Sequence, residues 1–248
     1  MTSAFVVTVD LDWACEPAIE GLLSWLEVRR IPYTVFTTHR SEAVEARLPM
    51  AEVGLHPNFA PGSSHGKTTA AVVEHVLGLP HNLLAVRCHR FEHGNDAMEA
   101  LAAAGMRVSS NVCTDMDSLR PFRNRYGMTE VPIFFEDGGY LRLQRPLDID
   151  GAWRHAAAQP GPKVLLLHPM HWALNSPNFG FMRQIKDTLS PHEWNQLSAN
   201  ELADVRWKGR GIRTLVEDVL EMALNSGVEF TTIGRLTGLR EVDDATAL

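Results

Sequence analysis

Phe5-Val6-Val7-Thr8-Val9-Asp10-Leu11-Asp12-Trp13 is the stretch on which the reading of this chain turns. Its run of β-branched and aromatic residues predicts a buried strand, yet the run ends on two carboxylates. A carboxylate placed unpaired in an apolar interior is costly, so two acids in three residues require a cation or a catalytic duty. For Asp12 a blander reading stands alongside, as a cap for the helix that follows.

That helix begins at Cys15-Glu16-Pro17, with proline and an acid where a helix N-terminus accepts them. Ile19, Leu22, Leu23 and Leu26 then recur at helical spacing, and residues 31–37 form a second strand. This is a β-α-β unit, for which parallel strands and a right-handed crossover are the default. The alternation continues. A short helix is predicted at 42–47, and a strand at 52–56 ends on His56. Thr68 or Thr69 caps a helix carrying Val72, Val73, Val76 and Leu77, which stops at Gly78. A strand at 84–87 runs into Arg87-Cys88-His89, a helix at 95–104 closes at Gly105, and a strand follows at 106–109. Residues 117–125 read as loop and 128–135 as extended chain ending at Glu136-Asp137-Gly138-Gly139, with the helix due there missing or short.

A helix at 149–159 precedes the strongest strand, Lys163-Val164-Leu165-Leu166-Leu167-His168. Residues 176–210 are polar and show no period, and are read as an irregular excursion. A long helix from Gly211, a strand at 228–233 and a frayed tail over the last dozen residues complete the chain. The pattern predicts one domain over 1–248 with a parallel α/β architecture, either a barrel or an open doubly wound sheet. Both gather ligands at the carboxyl ends of their strands.

A chain of 248 residues can bury a full core, and 45% hydrophobic with 21% charged residues excludes disordered and fibrous classes. The formal net charge of -7 argues against a nucleic-acid partner. Cys15, Cys88 and Cys113 have no CxxC spacing, so neither a disulfide framework nor a cysteine zinc site is expected. The first residues lack a basic region and the apolar run breaks at Asp10, so neither signal peptide nor membrane span is expected, and the protein is read as cytoplasmic.

The predicted strand ends carry Asp10 and Asp12, His56, Arg87 and His89, Glu136 and Asp137, and His168 with His171. Histidines and carboxylates gathered on one face suit zinc or a similar divalent ion, with three protein ligands and a position open to water. No phosphate loop or dinucleotide fingerprint competes. A single strand-end histidine can equally be a satisfied polar residue. Trp172 suits either the core or a sugar ring.

Five motifs carry a family resemblance: Thr8-Val9-Asp10-Leu11-Asp12-Trp13; Glu52-Val53-Gly54-Leu55-His56-Pro57-Asn58-Phe59 running on to Pro61-Gly62-Ser63-Ser64-His65-Gly66; Arg87-Cys88-His89; Phe134-Phe135-Glu136-Asp137; and Leu167-His168-Pro169-Met170-His171. In this order they resemble the polysaccharide deacetylases of the NodB-homology class, most closely the WbmS-type branch associated with surface-polysaccharide gene clusters. The resemblance implies a distorted (β/α)7 barrel with one divalent metal ion, zinc. It implies Asp10 as catalytic base, Arg87 orienting it, His168 as acid, and Asp12 and His56 as metal ligands. The family's second histidine falls on Ala60, so His65 stands as the third ligand, with His89 as its substitute. Leu11 separates two acids that the family places side by side. His89, Glu136, Asp137, His171 and Trp172 are assigned to substrate binding. The expected function is metal-dependent removal of an N-acyl group, N-acetyl above all, from a sugar or glycan precursor. The alternatives are hydrolysis of another small amide, or a binding protein that keeps the barrel without catalysis.

Overall fold

In the computed structural model of the protein, which describes residues 4–239, strands and helices alternate as the sequence predicts. The strands are β1 (Ala4–Asp10), β2 (Tyr33–Thr37), β3 (Glu52–Leu55), β4 (Ala85–Val86), β5 (Val108–Ser109), β6 (Phe122–Arg123), β7 (Thr129–Glu130), β8 (Phe135–Glu136), β9 (Lys163–Leu167) and β10 (Glu229–Thr231). Every residue of β1 is buried, as its β-branched run requires.

Parallel pairing runs from β5 through β4, β3, β2 and β1 to β9 and β8. Residues 129–136 close the circuit. β7 lies beside β5, Val131 N–H donates to Ser109 O, Cys113 bridges Ile133, and Phe134 N–H donates to Val164 O, so one extended run crosses from β5 to β9. The sheet thereby curls into the expected distorted (β/α)7 barrel rather than an open doubly wound sheet. β10 sits outside this circuit, paired with Ala4, Phe5 and Val6 below the point where β2 takes over that edge at Val7.

The helices cover the outside: α1 (Glu16–Val28), α2 (Glu42–Glu45), α3 (Thr69–Leu77), α4 (Asn95–Ala103), α5 (Asp137–Arg142), α6 (Ile149–Ala158), α7 (Pro169–Leu174), α8 (Phe179–Lys186), α9 (Pro191–Asn195), α10 (Ala199–Val205), α11 (Ile212–Asn225) and α12 (Ile233–Thr237). α1 buries Ile19, Leu22, Leu23 and Leu26, the face its spacing predicted. Thr68 caps α3 by accepting from Ala71 N–H, and α5 is the short helix expected after β8.

The excursion expected at 176–210 is instead largely helical. α9 and α10 each start on a capping box, Ser190 with Glu193 and Ser198 with Glu201, and Trp194, Leu197 and Leu202 are buried in the main core. Helices of five to eight residues are too short to display a period, which is why pattern reading missed them. The strand predicted to run to residue 233 stops earlier because Thr232 caps α12. The expected tail lies, from residue 240 on, outside the described residues. Among the described residues no helix is long and apolar enough to cross a membrane.

Candidate active site

Strand alternation turns Thr8 and Asp10 to the same face of β1 and sends Leu11 into the core. Thr8 Oγ1 donates to Leu165 O at 2.9 Å. Arg87 leaves the end of β4 fully buried and donates in four directions. Its Nη1 reaches Asp10 Oδ1 at 2.8 Å and Thr8 Oγ1 at 2.9 Å, its Nε reaches Ser110 O at 3.1 Å, and its Nη2 reaches Ser110 Oγ at 2.8 Å. The guanidinium also lies over the Phe36 ring, 4.4 Å from its centroid. One Asp10 oxygen is therefore held by a fixed cation, while the other faces His56 Nδ1 at 3.4 Å.

Past β1 the chain takes two left-handed residues, Asp12 (φ 45°) and Trp13 (φ 55°). Such backbone is costly for non-glycine residues and is found where surrounding structure enforces it. The turn folds the Asp12 carboxylate back over the strand ends, so the capping reading of Asp12 does not hold. Its Oδ1 lies 3.1 Å from His56 Nε2 and 2.9 Å from His89 Nδ1. Asp12, His56 and His89 thus present a carboxylate and two imidazoles with donor atoms all within 4.8 Å of one another. Burial by itself would raise the Asp12 carboxyl, but the imidazoles of His56 and His89 and the charge of His168 outweigh it and hold it well below the usual carboxylate range.

His56 is buried, and although a carboxylate oxygen faces each ring nitrogen, at 3.4 Å from Asp10 and 3.1 Å from Asp12, neither nitrogen makes a well-aligned hydrogen bond. A buried imidazole with idle nitrogens is costly unless something takes its lone pair. With two nitrogens and one oxygen, the donor set is that of catalytic zinc sites, so the residues present fit a divalent ion.

His65, expected as third ligand, does not join this cluster. Its Nε2 donates to Thr38 O at 2.8 Å and its Nδ1 accepts from Asn58 N–H at 3.1 Å, so both nitrogens are occupied by backbone. Burial and the neighbouring His75 imidazole hold its pKa down to about 4, and Trp13 packs between its ring and that of His89. His89, expected first as a substrate contact, is the histidine that stands in the cluster.

His168 enters from the end of β9. Its Nδ1 contacts Asp137 Oδ1 at 2.5 Å, its backbone N–H donates to Asp137 Oδ2 at 2.7 Å, and its Nε2 faces Asp12 Oδ2 at 3.6 Å. Burial opposes a charged imidazole, but Asp137, Asp12 and Asp10 together raise His168 well above the usual histidine range. Asp137, expected among the substrate contacts, therefore has both oxygens turned to His168. His171, also expected among the substrate contacts, is buried, edge-on to His168 with Nδ1 3.2 Å from Ser176 Oγ.

Trp172 settles into the core. Its ring packs on Gly21, sits 6.5 Å from Trp25 and lies under the Arg213 guanidinium, 3.8 Å away. Glu136 lines a cavity of about 310 Å³, and its carboxyl feels the charge of His168. Its carboxylate folds so closely over the start of α5 that a Cβ on Gly139 would lie 2.4 Å from Oε2, and burial raises its pKa.

Thr8 and Ser110 escaped the sequence reading as site residues. A period of two from Asp10 points to Thr8. Nothing local marks Ser110, which meets Arg87 only because β5 lies beside β4.

The model of the WbmS-like polysaccharide deacetylase family matches residues 7–186. Among solved structures, a Bordetella bronchiseptica protein described as a polysaccharide deacetylase involved in O-antigen biosynthesis is similar, with a TM-score of 0.76 and 23% identity over 88% of this chain and 90% of that one. A Mycobacterium smegmatis protein described as a polysaccharide deacetylase gives a TM-score of 0.51 at 17% identity, over 94% and 93% of the two chains. At these identities the likeness is one of fold. No curated protein matches the chain.

Proposed function

Because this chain belongs to the WbmS-like polysaccharide deacetylase family, we propose that it is a metal-dependent hydrolase removing an N-acetyl group from a sugar or glycan precursor of a surface polysaccharide. Asp12, His56 and His89 would hold the ion, zinc by the chemistry of its donors. When bound, such an ion polarises an acyl carbonyl and acidifies water.

The chain's own residues divide the proton transfers. Asp10, fixed through one oxygen by Arg87, accepts the proton of the attacking water with the other. The hydroxyl adds to the acyl carbon. His168, held charged by Asp137, gives its proton to the departing sugar nitrogen as the C–N bond breaks, leaving acetate and a free amine. Each such proton transfer contributes on the order of 10²–10⁴-fold.

One observation carries this reading: the buried His56 imidazole, with no well-aligned hydrogen bond, lies beside Asp12 and His89, between a carboxylate anchored on arginine and an imidazole anchored on aspartate. The test is metal analysis of the purified protein together with acetate release from a panel of N-acetyl sugars. Asp10→Asn, verified as folded, should keep its metal and lose turnover, whereas His56→Ala should lose both. Unchanged metal content in His56→Ala would sink the ligand assignment, and absence of acetate release from every sugar by the zinc-loaded wild type would sink the reaction.

A further inference from the structure

Beyond Glu136 the strand-end face opens into two adjoining cavities that meet at Arg142, the last residue of α5. The inner one is the cavity of about 310 Å³ lined by Glu136, whose carboxyl feels the charge of His168, and by Asp115. The outer one, of about 660 Å³, has Arg142, Gln144, Arg145 and Asn178 as its polar lining and no carboxylate among its lining residues. In a chain with a net charge of -7, an open, outer cavity lined by two exposed arginines and no carboxylate stands out, although Asp115 of the inner cavity reaches one of them, Arg145.

The two arginines differ. Arg145 is paired with Asp115 on the protein surface, which takes up its charge. The Arg142 side chain has no ion-pair or hydrogen-bond partner among the described residues. A basic residue in the last turn suits a helix C-terminus, but the helix end does not account for a second arginine on the same cavity or for the missing carboxylate. A guanidinium offers a planar fork that matches the oxygens of a phosphate or carboxylate.

We propose that Arg142, flanked by Arg145, is a specificity residue that reads an oxyanion, a phosphate or a carboxylate, carried by the substrate next to its N-acylated sugar. The assignment of which sugar atom reacts rests on the deacetylase reading above. The substrate class is then an anionic sugar derivative, either a phosphate-linked precursor or an acidic sugar, rather than a neutral glycan.

The experiment compares binding of N-acetylglucosamine, its 1-phosphate and its uronic acid by calorimetry, in the wild type, Arg142→Met and Arg142→Lys, with kcat/KM measured in parallel. In the wild type at least one anionic sugar should bind about 10-fold tighter than the neutral one, the scale of a charge-assisted hydrogen bond. That ratio should collapse toward one in Arg142→Met and recover in part in Arg142→Lys. Preference for the phosphate identifies a phosphate-linked precursor, and preference for the uronic acid an acidic sugar. Either supports the proposal. Anionic sugars that bind no better than the neutral one, or an Arg142→Met variant that weakens all three alike, would overturn it. If the wild type releases no acetate while the Arg142-dependent preference in binding persists, the deacetylase reading falls and the anion site stands.

Discussion

Replacing Arg87 with methionine removes the guanidinium bonded to Asp10 while keeping much of the side-chain volume. Arg87 is fully buried and donates to Asp10, Thr8 and two oxygens of Ser110, and Asp10 itself is 1% exposed. Deleting one member of a buried ion pair costs about 3–5 kcal/mol because the other is left charged and unpaired. For a chain of this size each kcal/mol moves Tm by about 2–4 °C, so Arg87→Met should melt about 6–20 °C lower.

Asp10→Asn should cost a comparable amount for the converse reason. The double variant Arg87→Met/Asp10→Asn buries no lone charge and should be more stable than the sum of the singles by about 1–3 kcal/mol. Urea unfolding gives these differences from the midpoints, provided the slope m is unchanged. An Arg87→Met protein within about 1 kcal/mol of wild type, or a double variant additive to within about 0.5 kcal/mol, would show that the pair does not carry the charge balance argued for it.

Asp137→Asn keeps the shape that orients His168 but removes the charge that keeps it protonated, so kcat should fall by about 10²–10⁴ with metal content unchanged; full activity would end its role as a positioning residue. His89→Ala should lose bound metal by mass-spectrometric analysis while His65→Ala retains it, and the reverse result would restore His65 as the third ligand. On the outside, Arg47 bonds Glu20 and Glu27. These bonds lower the pKa of Glu20 directly and that of Glu27 in spite of its burial. Carboxyls with depressed folded-state pKa values contribute stability that is complete above their unfolded value of 4.5 and is lost as pH falls through the folded value. Arg47→Met should therefore be less stable than wild type at pH 7, with the gap narrowing as pH falls below about 4.5; a gap independent of pH would exclude the two glutamates as its source.

Most of the barrel was legible because its signals are local. The runs in β1 and β9, the heptad-like face of α1 and the Thr68 cap each state their structure within a few residues. The capping boxes at Ser190 and Ser198 are equally local, but helices of one or two turns are too short to show a hydrophobic period. Leu11 between the two acids, a departure from the family's adjacent pair, also has a local account: alternation buries the leucine, and the left-handed turn at Asp12 then brings the second carboxylate back over the strand ends.

The sequence by itself determined the alternating α/β order and the roster of acids, histidines and arginine at the strand ends, since strand and helix periods and terminal residues are properties of short segments. Only the tertiary structure decided how that roster is divided. His65 and His89 are both strand-end or loop histidines, and the choice between them depends on which nitrogens the backbone of Thr38 and Asn58 has already taken. Asp137 and Glu136 are adjacent in sequence, yet one is spent on His168 and the other faces a cavity, because a helix starts between them. Trp172 follows His171 directly but lies on the core side of α7. Ser110 reaches Arg87 from a neighbouring strand. Each of these outcomes is set by contacts between residues far apart in the chain, which only the packing of one strand beside another brings into being.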